Sequence, residues 1–408
     1  MRILYVTPYV PSPIRIRPYN FIKGLARRGH GITLLTLAGE DEAADVAALA
    51  PYCQRIEAVP LGKAQVARAM LAALPGRLPL QAAYGRSRVA AARLGKLCAE
   101  AQQAGTPFDL AHVEHLRAAV LGAAIPALPR VYDAVDCISL LFERAGAASP
   151  ELKTRLMARV DLGRTRRFEG RLLAQYEGTI VTSGDDRRAL VDLAARYGTP
   201  PQPGRLRVVP NGIDLEYFAP LDLPREADTL VFSGKMSYHA NIAAVDFLVR
   251  EVLPLVWRER PGTRLWVVGK SPPPAISALA ADPRITVTGY VDDLRPYLAR
   301  AAVALTPIRY GVGIQNKVLE AMAMATPVVT TGQSAAALQA EAGRDLLVAE
   351  TPGDLAAATL ALLADAPRAR AVGEAGRRYV AARHDWVSIA GDLEAFYAEV
   401  SAGGRHAP

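Results

Sequence analysis

Lys317 and Glu320 stand three residues apart, just behind a loop that carries two glycines, Gly311 and Gly313. A cation and a carboxylate at that spacing share one face of a helix. The lysine falls in the first helical turn, where it opposes the helix dipole by about 0.3–1 kcal/mol if exposed, a penalty that a bound anion would reverse. A glycine-containing loop that runs into a helix aims backbone N–H groups at one spot and suits phosphate. The carboxylate is poorly placed to hold phosphate, yet it can accept hydrogen bonds from the hydroxyls of a ribose. The same residues are equally compatible with an ordinary crossover helix bearing a charged face.

A second group lies in Phe108-Asp109-Leu110-Ala111-His112-Val113-Glu114-His115. An apolar run that ends in polar residues reads as a strand whose carboxyl end carries the chemistry, where ligands bind in open α/β sheets. Such a cluster offers an acid–base pair, with His115 first and Glu114 second as candidate catalytic residues. A zinc reading of His112, Glu114 and His115 lacks any further ligands at metal spacing.

The elements that must hold these groups follow from the hydrophobic pattern. Strands are expected at residues 2–7, 32–37, 55–61, 110–113, 131–135 and 179–183, then at 229–233, 264–268, 285–288, 302–307 and 327–330. Helical segments alternate with them, among them 19–28, the basic stretch 63–96 and a short helix at 315–325 that Pro327 follows. That alternation predicts α/β architecture with parallel sheets. The arginine-rich run 164–171 reads as a solvated helix, and 386–400 as an amphipathic one. A chain of 408 residues is too long for a single growing core, so two domains are the default. Asn211-Gly212 marks a tight turn, and 221–226 reads as a linker. No G-x-G-x-x-G follows the first strand, which argues against a dinucleotide site.

The stretch Glu320-Ala321-Met322-Ala323 with Thr326-Pro327-Val328-Val329 resembles the nucleotide-sugar signature of retaining GT-B glycosyltransferases of family four, the glycosyl transferases group 1. The resemblance runs from Arg2 to about Val400. It implies two doubly wound Rossmann-like domains facing a cleft: residues 1–222, completed by a helix at 386–408 that crosses back, hold the acceptor, and residues 223–385 hold the nucleotide sugar. Glu320 matches the carboxylate that binds ribose in the family. Eight residues earlier stands Val312 where the family has a second Glu on the donor sugar. Lys235 matches a basic residue on the diphosphate, with Lys317 and the backbone of Gly313, Ile314 and Gln315 alongside. A second basic residue would fall near Ala240 or Asn241, where none stands. The backbone around Tyr290 and Val291 matches the base contact. The segment ending in His115 resembles one whose later His lies near the transferred sugar. The first loop lacks the family's glycine pair, so Arg15 or Arg17 is expected to supply charge there, with Arg17 on the diphosphate. Both arginines can equally be read as solvated side chains.

The implied activity is a retaining transfer from a UDP- or GDP-linked sugar to a hydroxyl of a glycan, a lipid-linked glycan or a small molecule, with no metal and no cofactor. The alternatives are an epimerase-like GT-B enzyme and a non-catalytic nucleotide-sugar-binding protein. The charge of +8 fits an anionic substrate or membrane surface. Its basic residues are scattered without interleaved aromatics, which argues against nucleic acid. Residues 63–96 carry seven Lys and Arg side chains and no acidic one, the composition of a segment that can lie on the inner face of an anionic membrane. A solvated helical face is the plainer reading. Three scattered cysteines and the absence of a signal-like start or a spanning apolar run lead to the expectation of a cytoplasmic protein.

Overall fold

In β1 (Arg2–Thr7), Leu4 and Val6 enter one buried cluster while Ile3 and Tyr5 enter another. A strand with both faces apolar belongs to a parallel sheet covered by helices on either side. β2 (Gly31–Ala38), β3 (Arg55–Pro60), β4 (Leu110–Glu114), β5 (Arg130–Val135), β6 (Gly178–Val181) and β7 (Leu206–Val208) complete that sheet. Their order is β3-β2-β1-β4-β5-β6-β7, and the pairs are parallel, with Tyr5 opposite Leu34 on one side and His112 on the other. The order reverses between β1 and β4, so a crevice opens at the carboxyl ends of those two strands.

The computed structural model describes residues 1–39, 41–126, 128–148, 152–309 and 314–404. It divides into two compact units, one of residues 1–143, 156–210 and 386–408, the other of residues 144–155 and 211–385. The chain therefore passes between the units at the turn Asn211-Gly212 and at the step from Asp385 to Trp386, besides lending residues 144–155 to the second unit. The second unit has its own sheet: β8 (Glu226–Ser233), β9 (Arg264–Val268), β10 (Ile285–Gly289), β11 (Ala301–Thr306), β12 (Val328–Thr330) and β13 (Leu347–Val348), ordered β10-β9-β8-β11-β12-β13 and again parallel. Here the reversal falls between β8 and β11.

The helix Trp386–Gly404 returns to the first unit. Ile389, Leu393, Phe396, Tyr397 and Val400 fall on one helical stripe and share a cluster with Ile3, Tyr5, Phe21 and Ile22. Full burial of each such side chain contributes roughly 1.5–3 kcal/mol. Arg28 and His30 both meet Glu394, at 2.5 and 3.0 Å.

Several expectations shift. The first helix is Ile16–Arg27, starting before Pro18, because proline is tolerated in a first helical turn. The basic stretch 63–96 is broken into helices Lys63–Ala73, Leu80–Tyr84 and Arg88–Gln103. Two of its cations are not free: Arg93 pairs with Glu57 at 2.6 Å and Lys96 with Glu100 at 3.7 Å, carboxylates that flank the stretch in sequence. The run 164–171 is not wholly solvated, since Glu169 is buried and accepts the backbone N–H groups of Ile138 and Ser139 at the start of the helix Ile138–Ala148. Burial pushes its carboxyl up to about 7. No helix among the described residues is long and apolar enough to cross a membrane.

Candidate active site

At the β8–β11 reversal, β8 ends in Ser233 and turns through Gly234 at φ 146°. A Cβ there would lie 2.8 Å from Nδ2 of Asn241 and 3.2 Å from Cε of Lys317. On the neighbouring strand end, Gly269 packs so closely that its Cβ would fall 1.9 Å from the carbonyl oxygen of Gly234. Both positions need glycine, and the result is a shelf of bare backbone beside the Lys317 side chain.

Lys317 comes from the helix Asn316–Ala323, which follows β11. It is only 8% exposed. Its ammonium has an uncharged partner, Oε1 of Gln315 at 3.3 Å, and lies 5.9 Å from the centre of the Phe232 ring. No carboxylate among the described residues reaches ion-pair distance. Burial lowers its pKa to about 8, partly offset by Glu320. Burial likewise raises Glu320 to about 7, partly offset by Lys317. A buried ammonium without a counter-ion is costly unless an anion completes it.

Around this point several polar atoms lack hydrogen-bond partners among the described residues: Oγ1 of Thr306 at the end of β11, Oδ1 of Asn316 and Oδ1 of Asn241. Buried polar atoms are seldom left unpaired without a ligand or water to serve them. Asn241 sits inside the helix His239–Phe247 and donates from Nδ2 to the Lys235 carbonyl at 2.9 Å, which fixes the loop carrying the exposed Lys235. Gln315 immediately precedes the Asn316 helix, and Ile314 is buried against Val318 and its neighbours. Tyr290 is 70% exposed just past the end of β10, and Val291 is half-buried beside it. Gly313, like Val312, lies outside the described residues.

At the reversal in the first unit, β4 ends in Glu114, and His115 opens the helical turn His115–Ala118. His115 has φ 66°, a left-handed conformation that costs a non-glycine residue about 1–3 kcal/mol and tends to mark functional sites. Its Nδ1 accepts the N–H of Arg117 at 3.1 Å, and burial, then Arg117, lowers its pKa to about 3. The imidazole is thus neutral with its proton on Nε2, which makes it a hydrogen-bond donor rather than a base. Tyr9, which the pattern did not single out, stands edge-on to it at 6.3 Å between ring centres.

Glu114, a catalytic candidate in the sequence, is enclosed by two tyrosines. It is fully buried, and its two oxygens accept from the hydroxyls of Tyr9 at 2.8 Å and Tyr5 at 3.3 Å. Burial, then Asp133, pushes its carboxyl up to about 8 despite those two donors. It braces the strand end behind His115. Arg17 is also not a loose charge: it is 5% exposed, its Nε donates to Asp133 at 2.7 Å, and its Nη1 donates to the Val209 carbonyl at 3.0 Å. Arg15 pairs with Glu42 at 2.5 Å. Both arginines of the first loop are thus held by carboxylates.

His112, Glu114 and Asp133 place one potential ligand atom each within 4.8 Å of one another. The group differs from the His112, Glu114 and His115 set weighed from the sequence. Arg17 lies on Asp133, and Nδ1 of His112 is held by the Tyr397 hydroxyl at 2.6 Å. A cation placed there would face a guanidinium, so the donor set suits a buried proton-sharing network instead.

Family models match stretches in both units of the chain. Residues 17–217 match the family described as Glycosyltransferase Family 4, and residues 227–365 match Glycosyl transferases group 1. The chain belongs to the family-four type of GT-B glycosyltransferases, enzymes that move a sugar from a nucleoside-diphosphate sugar to an acceptor. It is 28% identical over 345 residues to a D-inositol 3-phosphate glycosyltransferase of Stackebrandtia nassauensis, covering 77% of this chain and 73% of that protein. A phosphatidyl-myo-inositol mannosyltransferase of Mycolicibacterium smegmatis is 29% identical over 249 residues, covering 58% of this chain and 62% of that protein. Two solved structures share the fold. One is a sucrose-phosphate synthase from Thermosynechococcus elongatus, with TM-score 0.69, 20% identity and coverage of 99% and 100% of the two chains. The other is Anabaena HepE in complex with UDP and glucose, with TM-score 0.66, 15% identity and coverage of 98% and 99%.

Proposed function

We propose that residues 223–385, within the second unit, bind a UDP- or GDP-linked sugar and that the first unit, with its returning helix, binds the acceptor. Lys317 carries the reading: a buried ammonium beside a glycine shelf, with no carboxylate among the described residues at ion-pair distance, fits a diphosphate. Lys235 and the backbone of Gly313, Ile314 and Gln315 add donors to the same anion. Glu320 accepts from the ribose hydroxyls, and the chain at Tyr290 and Val291 meets the base. A nucleotide-sugar donor is supported by the structural neighbour HepE, which was solved with UDP and glucose.

The transfer proceeds with retention. As the bond from the anomeric carbon to the diphosphate breaks, the departing oxygen takes the acceptor's proton, so the protein needs no strong base. Its task is to stabilise the charge that grows on the diphosphate, which a fixed ammonium and helix amides in a dry site do well. His115, neutral and donating from Nε2, orients a sugar oxygen rather than removing a proton.

The acceptor bears a hydroxyl on a glycan, a lipid-linked glycan or a small molecule. The helix Lys63–Ala73 favours the lipid-linked class, because Leu71 is 63% and the following Leu74 is 43% exposed beside the exposed Lys63 and Arg68. Apolar side chains among cations are the chemistry of contact with an anionic bilayer. Calorimetric titration with UDP, GDP and inorganic pyrophosphate tests the donor half, followed by NMR assignment of the product anomer. A nucleotide that binds no better than pyrophosphate, or an inverted product, would sink the reading.

A further inference from the structure

A second basic cavity lies in the first unit, and nothing in the sugar transfer uses it. It measures about 610 Å³ and is lined by Arg77, Leu78, Arg167, Phe168, Arg171 and Gln175. No carboxylate among the described residues lines it. In this chain Arg28, Arg93, Arg166, Arg264 and Arg295 all form ion pairs with carboxylates. Among the described residues, Arg77, Arg167 and Arg171 have no such partner. Arg167 and Arg171 are one helical turn apart on the helix Leu152–Leu172, an arrangement that like charges disfavour unless an anion bridges them.

The cavity is held in shape. Arg164, on the same helix, donates to the carbonyls of Ala73 and Leu74 and so staples the end of the helix Lys63–Ala73 to it. Asp161 accepts the N–H of Leu80 at 2.8 Å, just beyond Arg77 and Leu78. Arg171 spends its Nε on the Tyr197 carbonyl at 3.2 Å, which orients its remaining nitrogens. Planar guanidinium forks with no acidic neighbour match the oxygens of a phosphate, and Leu78 and Phe168 offer an apolar surface beside them.

We propose that this cavity binds a phosphate group, as a site separate from the donor diphosphate. Two sources share that chemistry: the headgroup of an anionic lipid, reached from the exposed Leu71 and Leu74, and a soluble phosphate. The proposal does not rest on the donor assignment, because sugar-nucleotide turnover reads the other unit.

The test compares the wild-type chain with a triple variant, Arg77→Gln, Arg167→Gln and Arg171→Gln, and with a control, Arg188→Gln. Co-sedimentation with phosphatidylcholine vesicles, with and without phosphatidylglycerol, probes the lipid source. Titration with inorganic pyrophosphate probes the soluble one, the difference between wild type and variant excluding the donor site. We expect the triple variant to lose about tenfold or more in at least one arm, with donor turnover and the control unchanged. Loss confined to vesicles assigns a lipid headgroup, and loss confined to pyrophosphate assigns a soluble phosphate. Equal binding by wild type and variant in both arms overturns the proposal. If the triple variant fails to fold, Arg167→Lys keeps the charge but not the fork, and unchanged binding in both arms then overturns the matched-fork argument and the proposal with it.

Discussion

Binding of a nucleoside diphosphate should draw a proton onto Lys317, and the pH dependence of affinity should show it. The folded pKa, about 8, lies below the ordinary 10.5. Burial of the ammonium therefore costs stability below pH 8, and that cost fades as pH rises toward the unfolded value. A diphosphate beside the ammonium supplies the missing counter-charge and moves the pKa back up. At pH 9 about nine-tenths of the free protein has a neutral Lys317, so binding takes up about 0.9 proton. The affinity should fall about tenfold between pH 7 and pH 9, since only the protonated lysine holds the anion well. Calorimetry in two buffers of different ionisation heat measures the uptake directly. Glu320, raised to about 7, also titrates nearby, so the relevant quantity is the difference from Lys317→Met. If the variant takes up as many protons as wild type and loses affinity along the same pH curve, Lys317 does not meet the diphosphate and the site assignment fails.

Glu320→Ala should weaken nucleoside diphosphate binding by about tenfold while leaving pyrophosphate affinity nearly unchanged, because the lost partner is a ribose hydroxyl and not a phosphate; equal losses for both ligands would contradict this. His115→Gly should lower turnover by about a hundredfold yet hold or raise the melting temperature, since glycine relieves the left-handed backbone. A variant that loses stability and activity together would point to a purely structural histidine. Arg17→Leu should destabilise the first unit by about 3–5 kcal/mol in urea unfolding by leaving Asp133 buried and unpaired. Urea unfolding that matches wild type would show the pair to be dispensable.

The pattern-based reading located most strands to within a residue or two because both-sided burial writes long apolar runs into the chain. β7 and β13, three and two residues long, leave no periodicity to detect. The region of Lys317 and Glu320 was legible for a different reason: its groups are contiguous, so the spacing survives in one dimension. The first-unit cluster was not. Arg17 meets a carboxylate 116 positions away, and Tyr397 reaches His112 from 285 positions away. Neither distance has a local signature, so Arg17 looked like a free cation in a polar loop. Glu114 looked like a base because strand position reveals where a side chain emerges, but not that two tyrosines already occupy it.

The returning helix has a consequence for biosynthesis. Phe396, Tyr397 and Val400 fill a core with residues of β1 and of the helix Ile16–Arg27, which precede the whole second unit in the chain. Until the helix Trp386–Gly404 has been made, of these two helices only Ile16–Arg27 covers that face of the sheet, and the second unit is synthesised in between. The nascent chain must carry the partly exposed apolar face throughout, so synthesis of the returning helix, rather than completion of the sheet, sets when this core can close.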